Sequence, residues 1–96
     1  MITHVVLFKF KQEATADEIQ QLAEGLGALP QLIEEIREFR FGVDVLHTER
    51  SYDLGLVSNF DDLEALQRYQ IHPEHQKVVA QVKAIAASVV AVDFAG

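Results

Sequence analysis

Apolar and polar residues alternate from Ile2 to Lys11, with Ile2, His4, Val6, Phe8 and Phe10 on one parity and Thr3, Val5, Leu7, Lys9 and Lys11 on the other. This is the period of a β-strand, apolar on both faces at its centre. Thr15-Ala16-Asp17-Glu18 has the form of a capping box, and Ile19, Leu22, Ala23 and Leu26 then recur at helical spacing. The pattern predicts a helix ending near Gly25–Gly27, with Pro30 opening a short further turn of helix through Glu35. A second strand is predicted over Glu38–Leu46, where Gly42 suggests a bulge, and a third over Tyr52–Phe60, joined by the polar loop His47–Ser51. Asp61-Asp62-Leu63-Glu64 is another helix start, followed by Leu66 and Tyr69. Proline at 73 forces a break at His72, after which Val78, Val82 and Ile85 resume the helical period. Ala87–Ala95, with Val89, Val90, Val92 and Phe94, reads as a fourth strand.

Strand, helix, strand, strand, helix, strand is the order of an α+β, ferredoxin-like βαββαβ fold, with a four-stranded antiparallel sheet and two helices on one face. The other face should then be polar, yet Val5, Leu7 and Val57 point there, as does one apolar set of the last strand. An uncovered patch of that kind is uncommon on a monomer, so the pattern predicts a homodimer with sheets packed face to face.

Composition narrows the chemistry. The 96 residues suit a single domain spanning 1–96, with one modest core. A net charge of −7 and no basic cluster beyond Lys9 and Lys11 make nucleic acid and anionic membrane poor partners. Cysteine is absent, which removes disulfides, thiol nucleophiles and Cys-based metal sites. No apolar run approaches a membrane span and the start lacks a signal-peptide pattern, so a soluble cytoplasmic protein is expected. No phosphate-binding, nucleophile-elbow, zincin or EF-hand motif occurs.

The histidines and one tyrosine remain. With His72 as N-cap and Pro73 as the first helical residue, His75 stands at N3, where the helix dipole disfavours imidazolium. A neutral imidazole near pH 7 can act as a general base. The competing reading is a capping or surface histidine. Tyr69, at the margin of its helix's apolar stripe, can pack its ring inward with the hydroxyl reaching a cavity, or be a half-buried core tyrosine. His4 shares the helix-side strand face with Phe8 and Phe10 and would wall a pocket between sheet and helices, or be a satisfied core histidine. His72 serves the cap and the helix break beside that pocket. The His72/His75 pair lacks a third metal ligand, so zinc is not expected. His47 reads as solvated, beside Asp44 and Glu49.

The N-terminal His4-Val5-Val6-Leu7-Phe8-Lys9-Phe10-Lys11, the stretch Tyr52-Asp53-Leu54-Gly55-Leu56-Val57, and Tyr69-Gln70-Ile71-His72-Pro73-Glu74-His75 together resemble the stress-responsive A/B barrel (Dabb) family. The resemblance spans nearly the whole chain and implies a small dimeric α+β barrel. Family members range from plant stress-induced proteins to polyketide cyclases. In the cyclases the last His of the Y-x-x-H-P-x-H element is the catalytic base, its Tyr polarises a substrate carbonyl, and the N-terminal His lines the pocket. These positions match His75, Tyr69 and His4. Carried over, the resemblance implies cofactor-independent cyclase or lyase chemistry on a small carbonyl compound, with catalytic His75 and Tyr69, and with His4, Phe8 and His72 at the pocket. The alternative is a non-enzymatic stress-response or ligand-binding dimer. Here Gln76, Lys77 and Val78 follow the motif, where the cyclases carry larger aromatic pocket residues.

Overall fold

The computed structural model describes residues 1–96. Its elements are β1 (Ile2–Phe10), α1 (Ala16–Leu32), β2 (Glu38–Val43), β3 (Leu54–Phe60), α2 (Leu63–Ile71), α3 (Pro73–Ile85) and β4 (Ala86–Ala95). The strands form one antiparallel sheet in the order β2-β3-β1-β4, the ferredoxin-like arrangement. The second helical segment is two helices, not one, because His72 ends α2 in an extended conformation and caps α3 at once.

The core lies between the sheet and the helices. Val6 and Phe8 of β1 and Leu54, Leu56 and Phe60 of β3 meet Leu22, Leu26 and Leu29 of α1, Leu66 and Tyr69 of α2, and Val78 and Ile85 of α3. Each buried leucine or phenylalanine contributes roughly 1.5–3 kcal/mol. Thr15 caps α1 by accepting from Glu18 N at 3.2 Å, while Glu18 Oε1 accepts from Thr15 N at 2.9 Å. Asp62 caps α2 by accepting from Ala65 N at 2.8 Å.

Three expectations are corrected. The first helix does not end at Gly25–Gly27; it runs unbroken to Leu32 with Pro30 inside its last turn. Leu22, Leu26, Leu29 and Ile33 are all buried at spacings of four, three and four, so core packing carries the helix past its weak formers. A Cβ at Gly25 would lie 2.8 Å from Gln81 Oε1, the far end of a flexible side chain on α3, and in ordinary contact with Val78 Cγ2 at 3.5 Å. Gly42 makes no bulge, being in regular register with Gly55. The irregularity lies instead between Lys9 and Phe10 against β4, where Asp53 Oδ2 accepts from Phe10 N at 2.8 Å. The second strand also stops at Val43, leaving Val45 and Leu46 exposed in the loop.

Candidate functional site

A cavity of about 350 Å³ opens between α2, α3 and the β1–β4 half of the sheet. Its walls are mostly apolar, including Val6, Phe8, Leu26, Leu56, Val78 and Val82, and its polar members are His4, Tyr69, Gln70, His75 and Lys83. A mainly apolar hollow with a few convergent polar groups is the usual form of a small-molecule site.

Tyr69 is placed by the last turn of α2 and is only 1% exposed. Its ring packs on Phe60 at 4.8 Å between centroids and on His75 at 4.3 Å. Its hydroxyl donates to no group of the chain, while no fully buried side-chain N or O lacks a partner, so the oxygen keeps access to the cavity. Burial pushes the phenol well above its ordinary pKa, so at neutral pH it is a proton-bearing donor.

His75 is held by the α2–α3 break. His72 Nδ1 accepts from Glu74 N at 3.1 Å, which fixes the first turn of α3 and sets His75 at its third position. The His75 ring then turns back so that Nδ1 donates to the Gln70 carbonyl, 3.0 Å away. A neutral ring with its proton on Nδ1 leaves the Nε2 lone pair free. Burial lowers its pKa below the usual histidine value; the Gln70 bond opposes this and the charges of His4 and His72 add to it. The neutral imidazole is thus favoured in the direction expected from the helix terminus, with burial as the main cause.

His4, 7% exposed, reaches the same cavity from β1 with its ring 6.2 Å from Tyr69 between centroids. Its Nδ1 donates to Asp93 Oδ1, the residue directly opposite on β4. Sequence reasoning did not single out Asp93. The signal was its parity: Asp93 shares a face with Val89 and Ala91, and the fold sets β4 beside β1. Lys83 and Gln70 were also missed, since exposed polar residues on helices carry no distinctive pattern. Phe8 lies in the cavity wall, whereas His72 is outside it and spends its ring nitrogen on the cap. His47 is exposed on the β2–β3 loop, with a positive φ of 55° and its backbone N donating to Asp44.

A helix-covered antiparallel sheet with one bare face and a cavity under its paired helices defines a ferredoxin-like α+β protein of the A/B barrel kind. The chain belongs to the Dabb family, the stress responsive A/B barrel domain, whose model matches residues 2–95. It is 38% identical over 93 residues to the uncharacterised protein SCO4036 of Streptomyces coelicolor, spanning 95% of this chain and 96% of that one. Olivetolic acid cyclase of Cannabis sativa is 28% identical over 76 residues, 77% of this chain and 75% of that one. Among solved structures, a dimeric ferredoxin-like protein of unknown function from Thermobifida fusca superposes with a TM-score of 0.90 at 33% identity, covering 99% of this chain and 90% of that one. No helix of the chain is long and apolar enough to cross a membrane.

Proposed function

We propose that this chain works as a homodimer that binds a small carbonyl compound in the helix–sheet cavity and performs acid–base chemistry on it. The observation that carries the reading is the Tyr69 hydroxyl, unpartnered within the chain and open to the cavity, beside a His75 ring 4.3 Å away. A hydroxyl that opens into a mainly apolar cavity, with no partner in the chain, is placed to bind a polar group of a ligand.

In this reading the free Nε2 of His75 takes a proton from the carbon next to the carbonyl. The Tyr69 hydroxyl donates to the carbonyl oxygen as negative charge develops there. The resulting enolate can attack a second carbonyl of the same molecule, closing a ring as that carbonyl's oxygen becomes an alkoxide that takes up the proton held on His75 Nε2, or it can be reprotonated at carbon by His75. A positioned base contributes about 10²–10⁴-fold and a preorganised donor about 10²–10³-fold. His4, anchored by Asp93, completes the polar side of the wall. The similarity to a plant cyclase supports this class of chemistry.

Dimerisation is supported by the outer sheet face. Leu7, Val57, Val90, Val92 and Phe94 stand there 39–56% exposed in a single chain, and the Thermobifida relative is dimeric.

Acetophenone in D2O tests the catalytic part: the protein should accelerate exchange of its α-protons, and His75→Gln should cut that rate about 100-fold. Exchange at the buffer rate, with no acetophenone-induced NMR shifts at Tyr69 or His75, would favour the non-enzymatic alternative.

A further inference from the structure

The cavity between sheet and helices has two unlike ends. On its sheet side His4, Val6 and Phe8 of β1 stand opposite Asp93, Ala91 and Val89 of β4, so the His4 and Phe8 rows are about 13 Å apart along the extended chain. α3 follows the same course overhead, because the chain passes from Ile85 straight into β4 and Lys11 N donates to the Ile85 carbonyl at 2.8 Å. From His75 to Lys83 the helix rises about 12 Å. His75 and Tyr69 therefore share the His4 end, and Lys83 stands over the Phe8–Val89 end, with Val78, Val79 and Val82 between them. The first end is closed, His4 and Tyr69 being buried; the second is open, Val89 being 48% exposed.

Charge divides the ends in the same sense. The chain carries 15 aspartates and glutamates against 8 lysines and arginines, yet no carboxylate lines the cavity, and Lys83 is its one lining residue with a permanent charge. Lys83 joins none of the chain's ion pairs, whereas Lys77 on the same helix is held by Glu74 at 3.2 Å. Its neighbours one turn away, Val79, Ala80, Ala86 and Ala87, carry no acid. Resting on the acid–base reading above, we propose that the ligand is an oxo acid, with its carbonyl oxygen on the Tyr69 hydroxyl, an apolar body along the valines, and a carboxylate that accepts from the Lys83 ammonium at the open end. The reverse orientation is costly. At the closed end the free Nε2 of His75 offers a lone pair rather than a proton, and His4 already serves the Asp93 carboxylate, so an anion there would lose its water with no opposite charge in exchange. Lys83 is exposed, so a carboxylate beside it keeps part of its hydration while the lysine stem lies over apolar wall.

The test is an NMR titration of the full chain with para-acetylbenzoate, whose ketone and carboxylate sit at opposite ends of an apolar ring, and with its uncharged methyl ester. The native chain should hold the acid about threefold more tightly than the ester in low salt, the size of effect one partly exposed ion pair gives. That preference should fade in about 1 M salt, where the screening length falls to about 3 Å. Lys83→Gln should abolish the preference and Lys83→Arg should restore it. Lys77→Gln, which changes the net charge equally but lies outside the cavity, should leave it unchanged. Equal affinity for acid and ester in the native chain, or a preference that survives Lys83→Gln, overturns the Lys83 contact alone when both probes still shift the Tyr69 and His75 signals. An equal loss in Lys77→Gln traces the preference to overall charge and overturns the contact too. Probes that leave the Tyr69 and His75 signals unmoved overturn the acid–base reading as well.

Discussion

A tyrosine ring packed under two helices normally gives its hydroxyl a partner within the chain, whereas the Tyr69 hydroxyl opens to the cavity. Tyr69 has no such partner in the chain, so Tyr69→Phe should change stability by no more than about 1 kcal/mol by chemical denaturation. In the same variant, affinity for acetophenone should fall about tenfold by NMR titration, in keeping with the loss of one hydrogen bond to a buried carbonyl. A variant that is destabilised by several kcal/mol would instead place the hydroxyl in a structural bond. For His75 the sign of the pH effect follows from its lowered pKa. The unfolded chain takes up the proton near 6.5, the folded chain only at lower pH, so this residue's stabilisation is present above 6.5 and is lost as pH falls toward the folded value. Urea denaturation at pH 7.5 and 5.5 should therefore show a smaller acid loss in His75→Gln than in the native chain. Tyr69, His75 and His4 were all legible as candidates from residue type and parity. Asp93 was not, because a lone acid in an apolar strand acquires meaning only once β1 and β4 are known to be neighbours.

The α2–α3 junction sets the position of His75. His72 accepts from Glu74 N, ending one helix and starting the next within a single residue. His72→Ala should cost about 1 kcal/mol in thermal or denaturant unfolding, the usual value of an N-cap. It should also loosen the Nδ1 bond from His75 to Gln70, read as a change in the His75 ring signals. The break itself was legible, because the residue before proline is barred from the helical region by a local clash. The course of α1 was not. Gly25 and Gly27 argue locally for an ending and Pro30 for a fresh start, and the burial of Leu29 and Ile33 in the core overrides them. Replacing Leu29 by Ala should accordingly cost about 2–5 kcal/mol, far more than any propensity effect on this helix. The bulge failed because a glycine only permits an irregularity, and Gly42 pairs in regular register with Gly55.

At the level of the molecule, a helix-covered face and an apolar bare face divide the work. The covered face encloses the cavity, and the bare face calls for a second copy. Val92 is 56% exposed at the middle of β4, and Val92→Lys should shift the mass by light scattering from twice 10.8 kDa to the single-chain value. An unchanged dimer would place the contact elsewhere. The order of elements and the two-faced apolar character of β1 and β4 were readable from period alone. The cation at the open end of the cavity was not, since it depends on α3 and β4 folding back so that Lys83 lies over Phe8 and Val89. The proposed acid–base chemistry rests finally on one ring in the cavity. A 15N NMR titration of the His75 side chain, with and without acetophenone, should find a pKa below 6.5, the Nδ1–H tautomer at pH 7, and an Nε2 signal that moves when the ketone binds. An ordinary pKa with a ring indifferent to the ketone would contradict the cavity as a site of acid–base chemistry.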